Sequence, residues 1–127
     1  YDRAFAPLAG VQVPTTRPEV ESARHLYVLR LDLDRIAVDR AGFIRELSDR
    51  RIGSSVHFIP IHHHTYYRQK YRYPDGSFPV ADREFERIVS LPLSPALTDA
   101  DVEDVVEAVS EIVERYARSQ GGTQRVR

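Results

Sequence analysis

The clearest periodic pattern runs from residue 98 to residue 118. Val102, Val105, Val106, Val109, Ile112, Val113 and Tyr116 recur at helical spacing, so one face of a long helix is apolar. Thr98 stands at its N-cap, and Asp101 fills the capping-box position as a shorter substitute for Glu. Acids at 99, 101, 103 and 104 sit at the positive end of the helix dipole, with Arg115 and Arg118 near the negative end. A second stripe, Phe43, Ile44 and Leu47, follows a candidate N-cap at Asp39. The left-handed position that should close this helix falls on Arg51, where glycine would be cheapest. Either Arg51 adopts that conformation or the helix ends differently. A third helix starts with Pro79 in its first turn and repeats apolar residues at Ala81, Phe85 and Ile88.

Strand patterns are shorter. Residues 25–32 are rich in strand formers and apolar on both alternating sets, which predicts a strand covered on both faces. Arg30 interrupts one set, so it lies near an edge or pairs with an acid. Residues 54–58 read as a second strand ended by Pro60, and residues 90–95 as a short edge strand because Pro92 cannot donate. Pro74-Asp75-Gly76-Ser77 is a turn signal. Residues 1–8 read as the end of a helix stopped near Gly10, and residues 11–18, with two prolines, as an exposed connector. The predicted architecture is a two-layer α/β unit with a small mixed or antiparallel sheet and helices on one face. Residues 119–127 read as a flexible tail.

Composition narrows the classes. A chain of 127 residues, 42% hydrophobic and 29% charged, suits one domain with one core. The net charge of -1 offers no basic footprint for nucleic acid and no polybasic patch for a membrane. No apolar run reaches transmembrane length and no signal-peptide pattern appears, so a cytoplasmic location is expected. With no cysteine, thiol nucleophiles and thiolate metal sites are excluded. Lysine occurs once, at Lys70, so any lysine chemistry needs that residue or one outside the chain. Methionine is absent, position 1 included, which leads us to expect that further residues precede Tyr1.

Candidate chemistry concentrates in residues 53–73, which hold His57, His62, His63 and His64 together with Tyr66, Tyr67, Tyr71 and Tyr73. In an extended segment His62 and His64 would share a side and His57 could approach them, a set that suits zinc. Against a resident metal, the nearest acids, Asp75 and Asp82, lie across a turn, and no His-x-x-x-His helix exists; we expect no native metal site. A serine–histidine pair at Ser54, Ser55 and His57 lacks the glycine pattern of a nucleophile elbow, and neighbours on a strand point apart. The mixture of Tyr66, Tyr67, Arg68, Lys70, Tyr71 and Arg72 fits a rim for a phosphate or a planar ligand, and equally a solvated helix whose tyrosines pack on the core.

Four ordered motifs carry a resemblance. They are Ile52-Gly-Ser-Ser-Val-His-Phe-Ile-Pro-Ile-His62, then Tyr66-Tyr67-Arg68, then Phe78-Pro-Val-Ala-Asp82, then Ser90-Leu-Pro-Leu-Ser-Pro-Ala-Leu-Thr98 with Asp101 and Val102. Over roughly residues 25–116 the chain resembles the C-terminal domain of the DegT/DnrJ/StrS family of pyridoxal-phosphate-dependent sugar aminotransferases. The resemblance implies a fold-type-one aminotransferase small domain at residues 21–118, with residues 1–20 entering from a large N-terminal domain. It implies a homodimer that moves an amino group, usually from glutamate, to a keto group on a nucleotide-linked sugar. The cofactor lysine is implied to lie in the large domain, since Lys70 does not match its place. The chain alone is therefore expected to be inactive, with no catalytic residue of its own. The resemblance places His57 and His62 at the mouth of the active site as substrate contacts, with Tyr66 and Tyr67 as further candidates. Phe58, Asp82 and Arg51 depart from the family's common tyrosine, glutamate and glycine. A non-catalytic binding or regulatory module on the same scaffold is the alternative.

Overall fold

The structure, a computed structural model, describes residues 1–118. The flexible tail expected at 119–127 lies outside the described residues. In chain order the elements are α1 (Asp2–Phe5), β1 (Val11–Gln12), β2 (Tyr27–Leu31), α2 (Arg40–Asp49), a 3-10 turn (Ile61–His63), α3 (Thr65–Tyr71), α4 (Pro79–Arg87), β3 (Ile88–Leu91) and α5 (Asp99–Arg115). The sheet is antiparallel in the order β1-β2-β3. Tyr27 pairs with Leu91 and Leu29 with Val89, while Val11 pairs with Leu31 on the other side of β2.

Tyr27, Leu29 and Leu31 are buried and Val28 and Arg30 only half-buried, as the twofold alternation of a strand requires. The strand therefore has one fully covered face rather than the two expected. On that face the core gathers Phe5 from α1, Phe43 and Leu47 from α2, and Val105, Val109, Ile112 and Val113 from α5. Arg30 points the other way and pairs with Glu84 of α4 at 3.0 Å, the acid partner that its place in the strand called for. The short strand β1 lies within the residues read as an exposed connector. Val11 is buried there because pairing with Leu31 carries it onto the core face.

The helix ends follow local chemistry. Thr98 Oγ1 accepts from the Asp101 amide at 3.2 Å, and Asp101 Oδ2 accepts from the Thr98 amide at 2.8 Å, closing the capping box. Asp39 Oδ1 accepts from the Gly42 amide at 2.7 Å. Arg51 does take the left-handed conformation, with φ +61°. The Ile52 amide then reaches the Leu47 carbonyl at 2.9 Å and the Arg51 amide the Ser48 carbonyl at 2.9 Å, so α2 ends in a Schellman motif. The predicted turn at residues 74–77 forms, with Gly76 at φ +77°.

Glu46 ties α2 to the end of α5. It accepts from the Tyr116 hydroxyl at 2.7 Å, from Arg50 at 2.7 Å and from Arg115 at 3.2 Å. The Tyr116 hydrogen bond, followed by that of Arg50, holds its carboxyl below the ordinary 4.5. A carboxyl depressed on folding adds stability that is complete above its unfolded value and lost as pH falls through the folded value. The melting-temperature difference between the wild type and Glu46→Gln is therefore expected to be largest near neutral pH and to close at acid pH. Circular-dichroism melts across that range test it; a difference constant with pH would mean that the Glu46 charge adds nothing.

Candidate functional site

The chain leaves α2 at Arg51 and meets the sheet once. Ser55 and Ser90 exchange backbone hydrogen bonds, at 3.1 Å and 2.7 Å, as an isolated bridge. The strand expected at 54–58 reduces to this bridge. Beyond it Phe58 and Ile59 are exposed, and the Phe58 ring meets the His57 ring edge-on at 4.6 Å. The His57–Phe58 peptide is cis.

His57 is half-buried beside this bridge. Its Nδ1 lies 2.8 Å from Ser90 Oγ and 3.2 Å from Ser55 Oγ. Among the described residues Ser90 is the one buried polar residue, so His57 satisfies a hydroxyl that would otherwise be costly. Sequence reasoning weighed Ser54 and Ser55 as partners and missed Ser90, 33 residues away. The set does not make a nucleophilic site: among the described residues no acid orients the ring, and both hydroxyls meet the same nitrogen.

His62 sits in a different group. Pro60 opens the 3-10 turn, whose bonds run from the His63 amide to the Pro60 carbonyl and from the His64 amide to the Ile61 carbonyl. Neighbours in such a turn are a third of a revolution apart, so His62 and His63 can both address one partner. That partner is Asp82 Oδ1 in the first turn of α4, 2.7 Å from each Nε2. The hydrogen bond from His62, with a second from His63, holds the Asp82 carboxyl below its ordinary value. The His62 ring packs on Phe78 at 4.6 Å and the His63 ring meets Phe85 edge-on at 5.5 Å. The extended arrangement of His57, His62 and His64 imagined from the sequence does not occur, because residues 61–63 coil. His63 and His64 are both exposed, and His63 is in addition held by Asp82.

Tyr66 and Tyr67 lie on α3, which has no buried residue. Rather than packing on the core, they begin an exposed aromatic ladder. Tyr66 meets Tyr67 edge-on at 5.3 Å, Tyr67 stacks on Tyr71 at 6.2 Å, and Tyr71 stacks on Tyr73 at 5.6 Å. Lys70 Nζ donates to the Tyr66 hydroxyl at 3.1 Å. Phe58, Ile59 and Ile61 add exposed apolar area next in the chain; Phe58 is 75% exposed. Between α3, the 74–77 turn and Asp82 lies an open cavity of about 850 Å³, whose lining includes His62, His63, Arg68, Arg72, Asp75 and Asp82. The four site residues of the sequence thus divide: His57 stands at the sheet, His62 at the cavity, and the two tyrosines on the exposed helix. Among the described residues no helix is long and apolar enough to cross a membrane.

The antiparallel sheet backed by α1, α2 and α5 and the motifs of residues 52–98 define a domain of the aminotransferase class. The model of the DegT/DnrJ/EryC1/StrS aminotransferase family matches residues 1–110, and the chain belongs to that family. It is 47% identical over 113 residues to protein MJ1066 of Methanocaldococcus jannaschii, covering 89% of this chain and 29% of that one. It is 43% identical over 114 residues to the spore coat polysaccharide biosynthesis protein SpsC of Bacillus subtilis, with the same 89% and 29% coverage. The PLP-form of Spr1654 from Streptococcus pneumoniae superposes with a TM-score of 0.78 at 29% identity, over 90% of this chain and 29% of that one. The chain thus spans under a third of the length of these relatives.

The described residues do not by themselves fit a pyridoxal phosphate cradle. The single lysine, Lys70, is exposed on α3 and engaged with Tyr66.

Proposed function

We propose that this chain is the C-terminal small domain of a pyridoxal-phosphate-dependent aminotransferase acting on a nucleotide-linked keto-sugar, with glutamate as the amino donor. Residues 21–118 form that domain and residues 1–20 lead into it from a larger N-terminal domain that holds the cofactor and its lysine. The enzyme is a cytoplasmic homodimer, and this chain alone is inactive. The observation that carries the proposal is the division of chemistry in the chain. It belongs to an aminotransferase family and covers 29% of its relatives, yet its one lysine lies on an open helix. The exposed aromatic and aliphatic side chains of residues 58–78 support a partner surface, since contiguous apolar area of this kind marks interaction sites.

In this proposal His57 and His62 present ring nitrogens to sugar or phosphate oxygens, while Tyr66 and Tyr67 offer hydroxyls and ring faces. Ser90 and Asp82 hold the two imidazoles in place from behind. The substrate's phosphates meet Arg68 and Arg72, whose planar forks suit them.

Joining the domain to the upstream segment of its parent protein is expected to create a cofactor absorbance band that the isolated chain lacks. In that longer protein His57→Ala is expected to lower kcat/KM by about tenfold or more, the worth of one charge-assisted hydrogen bond. Melting curves recorded in parallel separate this from a packing effect. A parent protein that binds no pyridoxal phosphate would instead point to a binding or regulatory module, and loss of melting temperature without loss of turnover would return His57 to a structural role.

A further inference from the structure

We propose that His62, His63 and Asp82 form a binding site for a divalent first-row transition ion, with zinc as the reference metal. The inference does not rest on the aminotransferase proposal; it gives His63 a role that proposal does not assign and Asp82 a second one. One ring nitrogen from each histidine and a carboxylate oxygen of Asp82 lie within 4.8 Å of one another, a set of two imidazoles and one carboxylate. That donor set suits zinc and its neighbours rather than magnesium or calcium, which prefer oxygen throughout.

The geometry is close to what coordination needs. Zinc holds such ligands at about 2.0–2.2 Å, so ligand atoms at facial or tetrahedral angles stand about 2.9–3.4 Å apart. Each Nε2 lies 2.7 Å from Oδ1, so these two edges need only a few tenths of an ångström of opening to match that spacing. Coordination through Nε2 uses that nitrogen's lone pair and leaves each ring's proton on Nδ1. A dication then replaces two hydrogen bonds at the same carboxylate oxygen.

The ligands are set by packing. His62 rests on Phe78 and His63 on Phe85. Asp82 is fixed through α4, which is tied to the sheet by the Glu84–Arg30 pair and to α2 by a hydrogen bond from Arg40 to the Phe85 carbonyl. Pre-set rotamers lower the ordering cost that a chance pair of surface histidines would bear. Three protein ligands leave coordination positions open, and the adjoining cavity lies on that side, lined also by Arg68 and Arg72. Water, or an anion such as phosphate drawn by those arginines, completes the shell.

The test uses the untagged 127-residue chain, stripped with a chelator and titrated with zinc chloride by calorimetry. One equivalent is expected to bind saturably at protein concentrations on the order of tens of micromolar. His63→Ala and Asp82→Asn should each weaken binding by about tenfold or more, while His64→Ala and His57→Ala leave it unchanged. In the wild type, zinc should move the imidazole NMR signals of two histidines, His62 and His63, and leave His25, His57 and His64 in place. That readout stands even if a variant fails to fold. Absence of saturable one-to-one binding would overturn the site. Loss of binding in His64→Ala with retention in His63→Ala would overturn it equally, as would NMR shifts at a different pair.

Discussion

Phe43→Ala is expected to lower the unfolding free energy by about 3–5 kcal/mol, the range for emptying a buried aromatic site. Phe43 is fully buried on α2, one turn before the fully buried Leu47, in the same cluster as Leu29, Val89, Val109 and Ile112. That cluster is where α2 and α5 meet the sheet. A domain of this size has a total stability of about 5–15 kcal/mol, so the loss is a large share of it. Phe58→Ala is the internal control. Its ring is mostly solvent-exposed, and the change should fall within about 0.5 kcal/mol of the wild type. Urea unfolding of both variants measures the contrast. Equal costs would refute it, and would show that Phe58 is covered in solution by another copy of the chain.

That contrast was only partly legible in the sequence. Phe43 lies in a helical stripe, and its burial follows from periodicity. Phe58 sits in a run that alternates like a strand, and only the structure shows that the sheet offers it no face. The helices were readable because their signals are local: Thr98 with Asp101, Asp39 with Gly42, and Pro79 act within one turn. Even the unusual end of α2 at Arg51 could be located, since the left-handed residue falls where the stripe stops. Strands were less readable because their partners decide them. Two residues, Val11 and Gln12, are too few to show a pattern, and the prolines that follow suggest a connector. Ile88 continues the α4 stripe in sequence but belongs to β3, because pairing with Arg30 outweighs the helical spacing.

The site was legible as a region and not as a constellation. Residues 53–73 do hold its histidines and tyrosines, as composition indicated. The groupings depend on contacts that skip 33 residues for His57 and Ser90, and 20 for His62 and Asp82. No spacing rule reaches that far. The coil at residues 61–63 also rotates His63 toward Asp82, where an extended chain would have turned it away. The family resemblance identified the scaffold, but its common glutamate is Asp82 here, and it gave that position no role in holding two imidazoles.

Gly10→Ala is expected to cost about 1–3 kcal/mol, and Gly10→Val more, through overpacking. Gly10 is buried at the junction of β1, the 32–36 turn and α5, and its carbonyl accepts from the Asp32 amide at 2.9 Å. A Cβ there would stand 2.5 Å from Ile36 Cγ2 and 2.8 Å from Val113 Cγ1, closer than such atoms can approach. The constraint is space alone, so it can be relieved from the other side. Ile36→Ala removes the nearer methyl and by itself costs about 2–5 kcal/mol as a cavity. Combined with Gly10→Ala, the new methyl fills part of that cavity, so the double variant should lose about 0.5–3 kcal/mol less than the two single losses together. Gly53 gives the opposite case. A Cβ there meets nothing within 4 Å, so Gly53→Ala should stabilise by about 0.4–1 kcal/mol through the unfolded chain. Chemical denaturation of the five variants decides the matter. A neutral Gly10→Ala, or strict additivity with Ile36→Ala, would mean that α5 is free to shift away from β1, and that the register bringing Val113 against Gly10 is not fixed by this contact.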